Sequence, residues 1–131
     1  MGVEAGLQAT VRHVVAAADT AAAVGSGDVE VLATPRLLAL AEAATVTALA
    51  GHLGADETSV GSRVQLEHLR ASPVGTQLAV HARLGHVDGR LLRFDVAAEH
   101  SDGTVVASGQ ITRIVVDAQR FRARAGVGGH G

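Results

Sequence analysis

Three polar residues in this sequence could carry chemistry at an acyl carbonyl. Glu42 stands alone in the run Leu38-Ala39-Leu40-Ala41-Glu42-Ala43-Ala44. A carboxylate there is either half-buried, in which case it needs a partner, or it lies on a narrow solvated stripe. Thr34 opens the same run just before Pro35. A threonine there can cap a helix, and a helix start offers free N–H groups and a favourable potential for a developing oxyanion. His68, in Gln65-Leu66-Glu67-His68-Leu69-Arg70, is a residue type that moves protons near neutral pH. Read alone, it is equally an exposed strand residue. The eight-residue gap from Thr34 to Glu42 is about 12 Å of helix rise. The two cannot meet at one atom unless a substrate lies along a groove or a second subunit takes part.

The elements that must position these groups follow from periodicity. Residues 34–53 read as one long helix, apolar on nearly every side, with Pro35 at its first position and Gly51 or Gly54 as a left-handed stop. A helix apolar all round must be wrapped. Alternating apolar residues predict strands at 7–15, 58–69, 76–87, 90–99 and 104–116, with a short helix over 16–24. Residues 29–32 are a strand or an extended lead-in. Gly61 predicts a bulge or a close backbone approach, and Asp88-Gly89 a two-residue hairpin. An antiparallel sheet curling around one long central helix buries such a helix economically. The expected class is therefore α+β, a hotdog fold. It forms a single domain over residues 1–122, with 123–131 a disordered tail.

Composition narrows the function. The chain of 131 residues can hold one proper core, and a net charge of −2 argues against a broad nucleic-acid footprint. There is no cysteine, hence no thiolate nucleophile or thiolate metal site, and no lysine for Schiff-base chemistry. Only Phe94 and Phe121 are aromatic, too few for a base-stacking surface. The seven histidines show no HxxxH or HExxH spacing, so no metal site is expected. Phosphate-loop, dinucleotide and Gly-x-Ser-x-Gly patterns are absent. Arg36, Glu42 and His52 interrupt the long helix, which favours a core helix over a membrane span. Residues 1–6 show no secretory pattern, and a cytoplasmic location is expected.

An ordered set of short motifs then carries a family resemblance. Asp19-Thr20-Ala21, Val31-Leu32-Ala33-Thr34-Pro35, Glu42-Ala43-Ala44, Thr58-Ser59-Val60-Gly61-Ser62, His68, Gly75, Val87-Asp88-Gly89-Arg90, Gly109-x-x-x-Arg113 and Arg120-Phe121 follow one another at the spacings of one group. Together they resemble the hotdog-fold thioesterases of the fluoroacetyl-CoA thioesterase-like branch. The resemblance assigns catalysis to Thr34, Glu42 and His68, places Gly61 in the site and matches Arg113 to a late family arginine. It implies hydrolysis of an acyl-CoA at the interface of a homodimer, or of a tetramer built from it, with no cofactor beyond the coenzyme A of the substrate. Arg90, Arg93 and Arg113 are candidates to hold its phosphates, since guanidinium suits phosphate geometry. In that branch phenylalanines before the Ala-Thr-Pro segment cover a very small acyl group. Here residues 25–32 hold no aromatic, so a different short- or medium-chain acyl group is expected.

Two other functions compete. One is a non-catalytic module on the same fold that binds acyl-CoA or a small ligand, since fold does not dictate function. The other, weaker, is a hotdog dehydratase.

Overall fold

The structure, a computed structural model, describes residues 2–127. Strand β1 (Gln8–Val14) leads through a 3-10 turn (Ala17–Asp19) and a single-turn helix α1 (Ala21–Val24) to the long helix α2 (Thr34–Leu49). Strands β2 (Glu57–His68), β3 (Gln77–Asp88), β4 (Leu91–His100) and β5 (Val105–Asp117) follow, then helix α3 (Ala118–Ala125). The five strands form one antiparallel sheet in the order β1-β3-β4-β5-β2. Helix α2 packs mainly across β1 and β3.

Sequence pattern explains the core. Leu78, Val80, Ala82 and Leu84 of β3 and Leu92, Phe94 and Val96 of β4 alternate along their strands and are all buried. On α2 the buried residues Leu37, Leu40, Ala41, Ala44, Thr45, Ala48 and Leu49 recur at helical spacing and meet that surface. The opposite side of α2, with Ala39, Ala43, Val46 and Thr47, is exposed. One chain therefore covers one face of the helix and does not wrap it on all sides. The helix also stops at Leu49 rather than residue 53, because Gly51 turns left-handed at φ 80°.

The helix start matters for the site. Ala33 is the extended N-cap residue, Thr34 the first helical residue, and Pro35 the second. Thr34 is therefore not the cap, and its hydroxyl is free for a tertiary partner.

Two further expectations shift slightly. The β3–β4 hairpin turns on Gly89 and Arg90, since Asp88 pairs with Leu91. The predicted irregularity at Gly61 is present as a register shift between Gly61 and Arg63. Residues 118–125, expected in part as tail, are helical. Asp117 caps them by accepting a hydrogen bond from Arg120 N (2.9 Å), and Gly126 ends them at φ 77°. The expected disordered tail thus begins inside a helix, and residues 128–131 lie outside the described residues. Among the described residues no helix is long and apolar enough to cross a membrane.

Candidate active site

Two groups of side chains gather on the helix side of the sheet. The first joins the start of α2 to the end of β2: Thr34 Oγ1 lies 2.8 Å from His68 Nδ1. One ring nitrogen of His68 is thereby fixed. The other, Nε2, is buried and has no hydrogen-bond partner among the described residues. A buried polar atom left unpaired costs about 1–3 kcal/mol, which a bound group able to pair with it would relieve. An open cleft of about 510 Å³ adjoins this pair, lined by Ala21, Gly27, Val29, Val31, Pro35 and Arg70 among others. Among the described residues no Phe, Tyr or Trp lines it.

The second group lies around Glu42. Gly61 of β2 and Arg113 of β5 are register partners, and Glu42 of α2 reaches down to both. Arg113 Nη1 donates to Glu42 Oε2 at 3.4 Å, while its Nε and Nη2 donate to Ser59 Oγ (2.9 Å) and Ser59 O (3.0 Å). Arg113 is only 7% exposed, and burial pushes its pKa down against the opposing pull of Glu42. A Cβ at Gly61 would collide with Glu42 Oε2, so glycine there leaves the carboxylate its place. A Cβ at Gly109 would likewise collide with the Gln65 carbonyl oxygen, so glycine there lets β5 and β2 approach closely. Glu42 Oε1 makes no hydrogen bond among the described residues.

The structure thus brings Thr34 to His68, and Glu42 to Gly61 and Arg113. Among the described residues no hydrogen bond links the two groups. Along α2 they stand about 12 Å apart, and the seven residues from Gly61 to His68 span about 23 Å of strand. Thr34 touches His68 and does not position Glu42. Arg90 lies apart from both groups, mostly exposed, with Nη1 3.3 Å from Val115 O and 3.6 Å from Glu57 Oε2. Ser59, which anchors Arg113 through two hydrogen bonds, is a site residue that sequence reasoning missed. Its only sequence signal is its place in the Thr58-Ser59-Val60-Gly61 run.

A five-stranded antiparallel sheet cradling one long helix, with Thr–His and Glu–Arg pairs on its helix side, defines the class: a hotdog-fold protein. The family described as fluoroacetyl-CoA-specific thioesterase (FlK) matches residues 15–119. A fluoroacetyl-CoA thioesterase of Streptantibioticus cattleyicolor is 36% identical over 95 residues, which cover 72% of this chain and 68% of the relative. A solved structure of the fluoroacetyl-CoA thioesterase FlK superposes with a TM-score of 0.87 at 30% identity, covering 95% of this chain and 96% of that one. A variant of that enzyme in complex with acetyl-CoA superposes at 0.88 and 29% identity, over 94% and 96% of the two chains. A hot-dog-like protein from Thermanaerovibrio acidaminovorans shares the fold, with a TM-score of 0.85 at 22% identity over 97% and 93%. The chain belongs to the fluoroacetyl-CoA-specific thioesterase family.

Proposed function

We propose that the protein hydrolyses the thioester of a short- or medium-chain acyl-CoA to the free acid and coenzyme A, at sites shared by the two subunits of a homodimer. The observation that carries this reading is His68, with Nδ1 held by Thr34 and Nε2 buried and unpaired. An imidazole tethered through one nitrogen is placed to give or take a proton through the other. In the net reaction a water oxygen ends on the acyl carbon, the C–S bond breaks, and a proton ends on the coenzyme A sulfur. Glu42 supplies the carboxylate, either attacking the carbonyl itself or orienting the water, and Arg113 and Gly61 set its place. The start of α2 presents N–H groups to the developing oxyanion.

The separation of the two groups supports a dimer. Strand β2 is an outer strand with a free edge, and its Val64 is 46% exposed. If a second copy paired there antiparallel about Val64 and Gln65, Gly61 would stand opposite the partner subunit's His68. The Glu42–Arg113 pair of one chain would then face the Thr34–His68 pair of the other, closing the gap that one helix cannot close. Arg90, mostly exposed, is the guanidinium assigned to a coenzyme A phosphate, whereas Arg113 is committed to Glu42 and Ser59. The reaction needs no cofactor beyond the coenzyme A of the substrate. The family relative in complex with acetyl-CoA supports this substrate class. The cleft beside Thr34 has no Phe, Tyr or Trp among its described lining residues, which favours an acyl group longer than fluoroacetyl. A cytoplasmic location, where coenzyme A esters are made and used, goes with this reading.

A thiol-release screen across acetyl-, butyryl-, hexanoyl- and octanoyl-CoA tests the proposal. Turnover of at least one ester is expected, lost in both Glu42→Gln and His68→Ala. Binding of the esters without turnover would instead indicate a non-catalytic binding protein.

A further inference from the structure

Asp19 is the most enclosed carboxylate of the fold, and the reaction as proposed above makes no use of it. It is 5% exposed. Its Oδ2 pairs with His13 Nε2 (2.7 Å) and accepts from Ala16 N (2.8 Å), while its Oδ1 accepts from Arg36 Nε (2.8 Å). Burial opposes the charged form, but these three partners outweigh it and hold the carboxyl at a pKa of about 2. The residue also acts through its main chain: Asp19 O accepts from Ala33 N at 2.9 Å.

The geometry of these contacts has a single centre. Ala33 is the residue before Thr34, and Arg36 lies two residues after it in the first turn of α2. Asp19 therefore grips the chain on both sides of Thr34, by main chain before it and by carboxylate after it. The opposite edge of the lead-in is held as well. Leu32 N donates to Ser72 O (2.9 Å), and the fully buried Ser72 pairs through Oγ with His100 Nε2 (2.8 Å). Residues 31–33 thus run as the middle strand of a small ribbon, bridged at Thr20↔Leu32 and Val31↔Pro73. The N-cap residue Ala33 makes no side-chain cap hydrogen bond, so the ribbon and Asp19 provide the anchoring that a cap would give. His13 and His100, the two sheet residues that hold this ribbon, share one row across β1, β3 and β4 through Leu78.

We propose that Asp19 is a positioning residue for the reaction: it fixes the start of α2 so that the Thr34 hydroxyl stays within hydrogen-bond reach of His68 Nδ1. The proposal rests on the Thr34–His68 pair serving catalysis, as argued above. It explains why a charge is buried at a turn where an apolar side chain would pack without a desolvation cost. A group aimed at a reacting partner loses about 100-fold in rate when misplaced by about 1 Å.

The test combines kinetics with the ¹⁵N resonances of the His68 ring in Asp19→Asn, which forfeits at least one of the three hydrogen bonds. The expected result is a fall in kcat of about tenfold or more with KM changed by less than about twofold. The same fall should be nearly absent in a Thr34→Ala background, because two steps of one chain of contacts are not additive. The His68 Nδ1 signal should move toward its position in Thr34→Ala. An unmoved Nδ1 signal in folded Asp19→Asn would overturn the proposal, as would full additivity with Thr34→Ala. The ring signal needs no turnover: if it moves while kcat stays constant, the positioning stands and the catalytic role of the Thr34–His68 pair fails. If Asp19→Asn does not fold, Arg36→Met and His13→Gln, each removing or altering one contact, carry the same measurements.

Discussion

Thr34 Oγ1 and His68 Nδ1 lie 2.8 Å apart although 34 residues separate them in the chain. The contact exists because Thr34 is the first residue of α2 and not its cap, so its hydroxyl is not spent on the helix backbone. Replacing Thr34 by alanine should lower kcat by about 100-fold, a misplacement-scale loss. Thr34→Ser should keep most of the activity. Thr34 is exposed, so both variants should melt within a few degrees of the parent. Steady-state kinetics beside calorimetry would check this, and equal losses in alanine and serine variants would count against a hydroxyl role.

Gly61 makes room for Glu42. A methyl group at this position collides with Glu42 Oε2 and comes within 3.7 Å of Arg113 Nη1. Gly61→Ala should therefore push the carboxylate off its place and cost about 10- to 100-fold in kcat/KM. Stability should change little, because the side chain that must move is partly exposed.

Gly109→Ala differs because the collision is with backbone. The added Cβ would overlap the Gln65 carbonyl, and neither strand can swing away as a side chain can. A loss of about 1–3 kcal/mol is expected, read as a lower midpoint in urea, with β2 the first element to lose amide protection.

The buried carboxylate of Asp19 makes an acid-sensitive contribution to stability. Its folded pKa, about 2, lies below the unfolded value of 3.8. The stabilisation is therefore complete above about pH 4 and lost as pH falls toward 2. A shift of this size is at most about 2 kcal/mol. Urea midpoints measured between pH 2 and 6 should show this slope in the parent, and a shallower one in Asp19→Asn.

Much of the frame was legible in the sequence. Alternation in β3 and β4 placed Leu78, Val80, Ala82, Leu84, Leu92, Phe94 and Val96 on the inner face, and all seven are buried. The glycine inside β2 marked the register shift. Helix α3 was hidden because an Arg- and Gly-rich end suggests disorder, although Asp117 as cap and Gly126 as stop were both present. The full enclosure expected for α2 followed from counting alanine as core. Alanine is small enough to sit on either face, and only the positions of Leu37, Leu40 and Leu49 show which side is buried.

The site was legible as residue types and not as partnerships. Thr34, Glu42, Gly61, His68 and Arg113 all face the helix side of the sheet, but spacing along the chain could not reveal that they divide into two groups. That division depends on the crossing of α2 over the sheet and on the order of the strands. Asp19 was visible only as part of the Asp19-Thr20-Ala21 motif. Its partners come from β1 and from the first turn of α2, contacts that only the folded chain creates.

The central claim is that the Thr34–His68 pair of one chain works with the Glu42–Arg113 pair of another. Mixing the two inactive variants His68→Ala and Glu42→Gln, after subunit exchange, tests it most directly. In a mixed dimer one site carries both lesions and the other carries none. Random exchange should therefore restore about a quarter of the parent's acyl-CoA hydrolysis. Activity that stays at the level of the separate variants, with exchange confirmed by mass, would contradict the account.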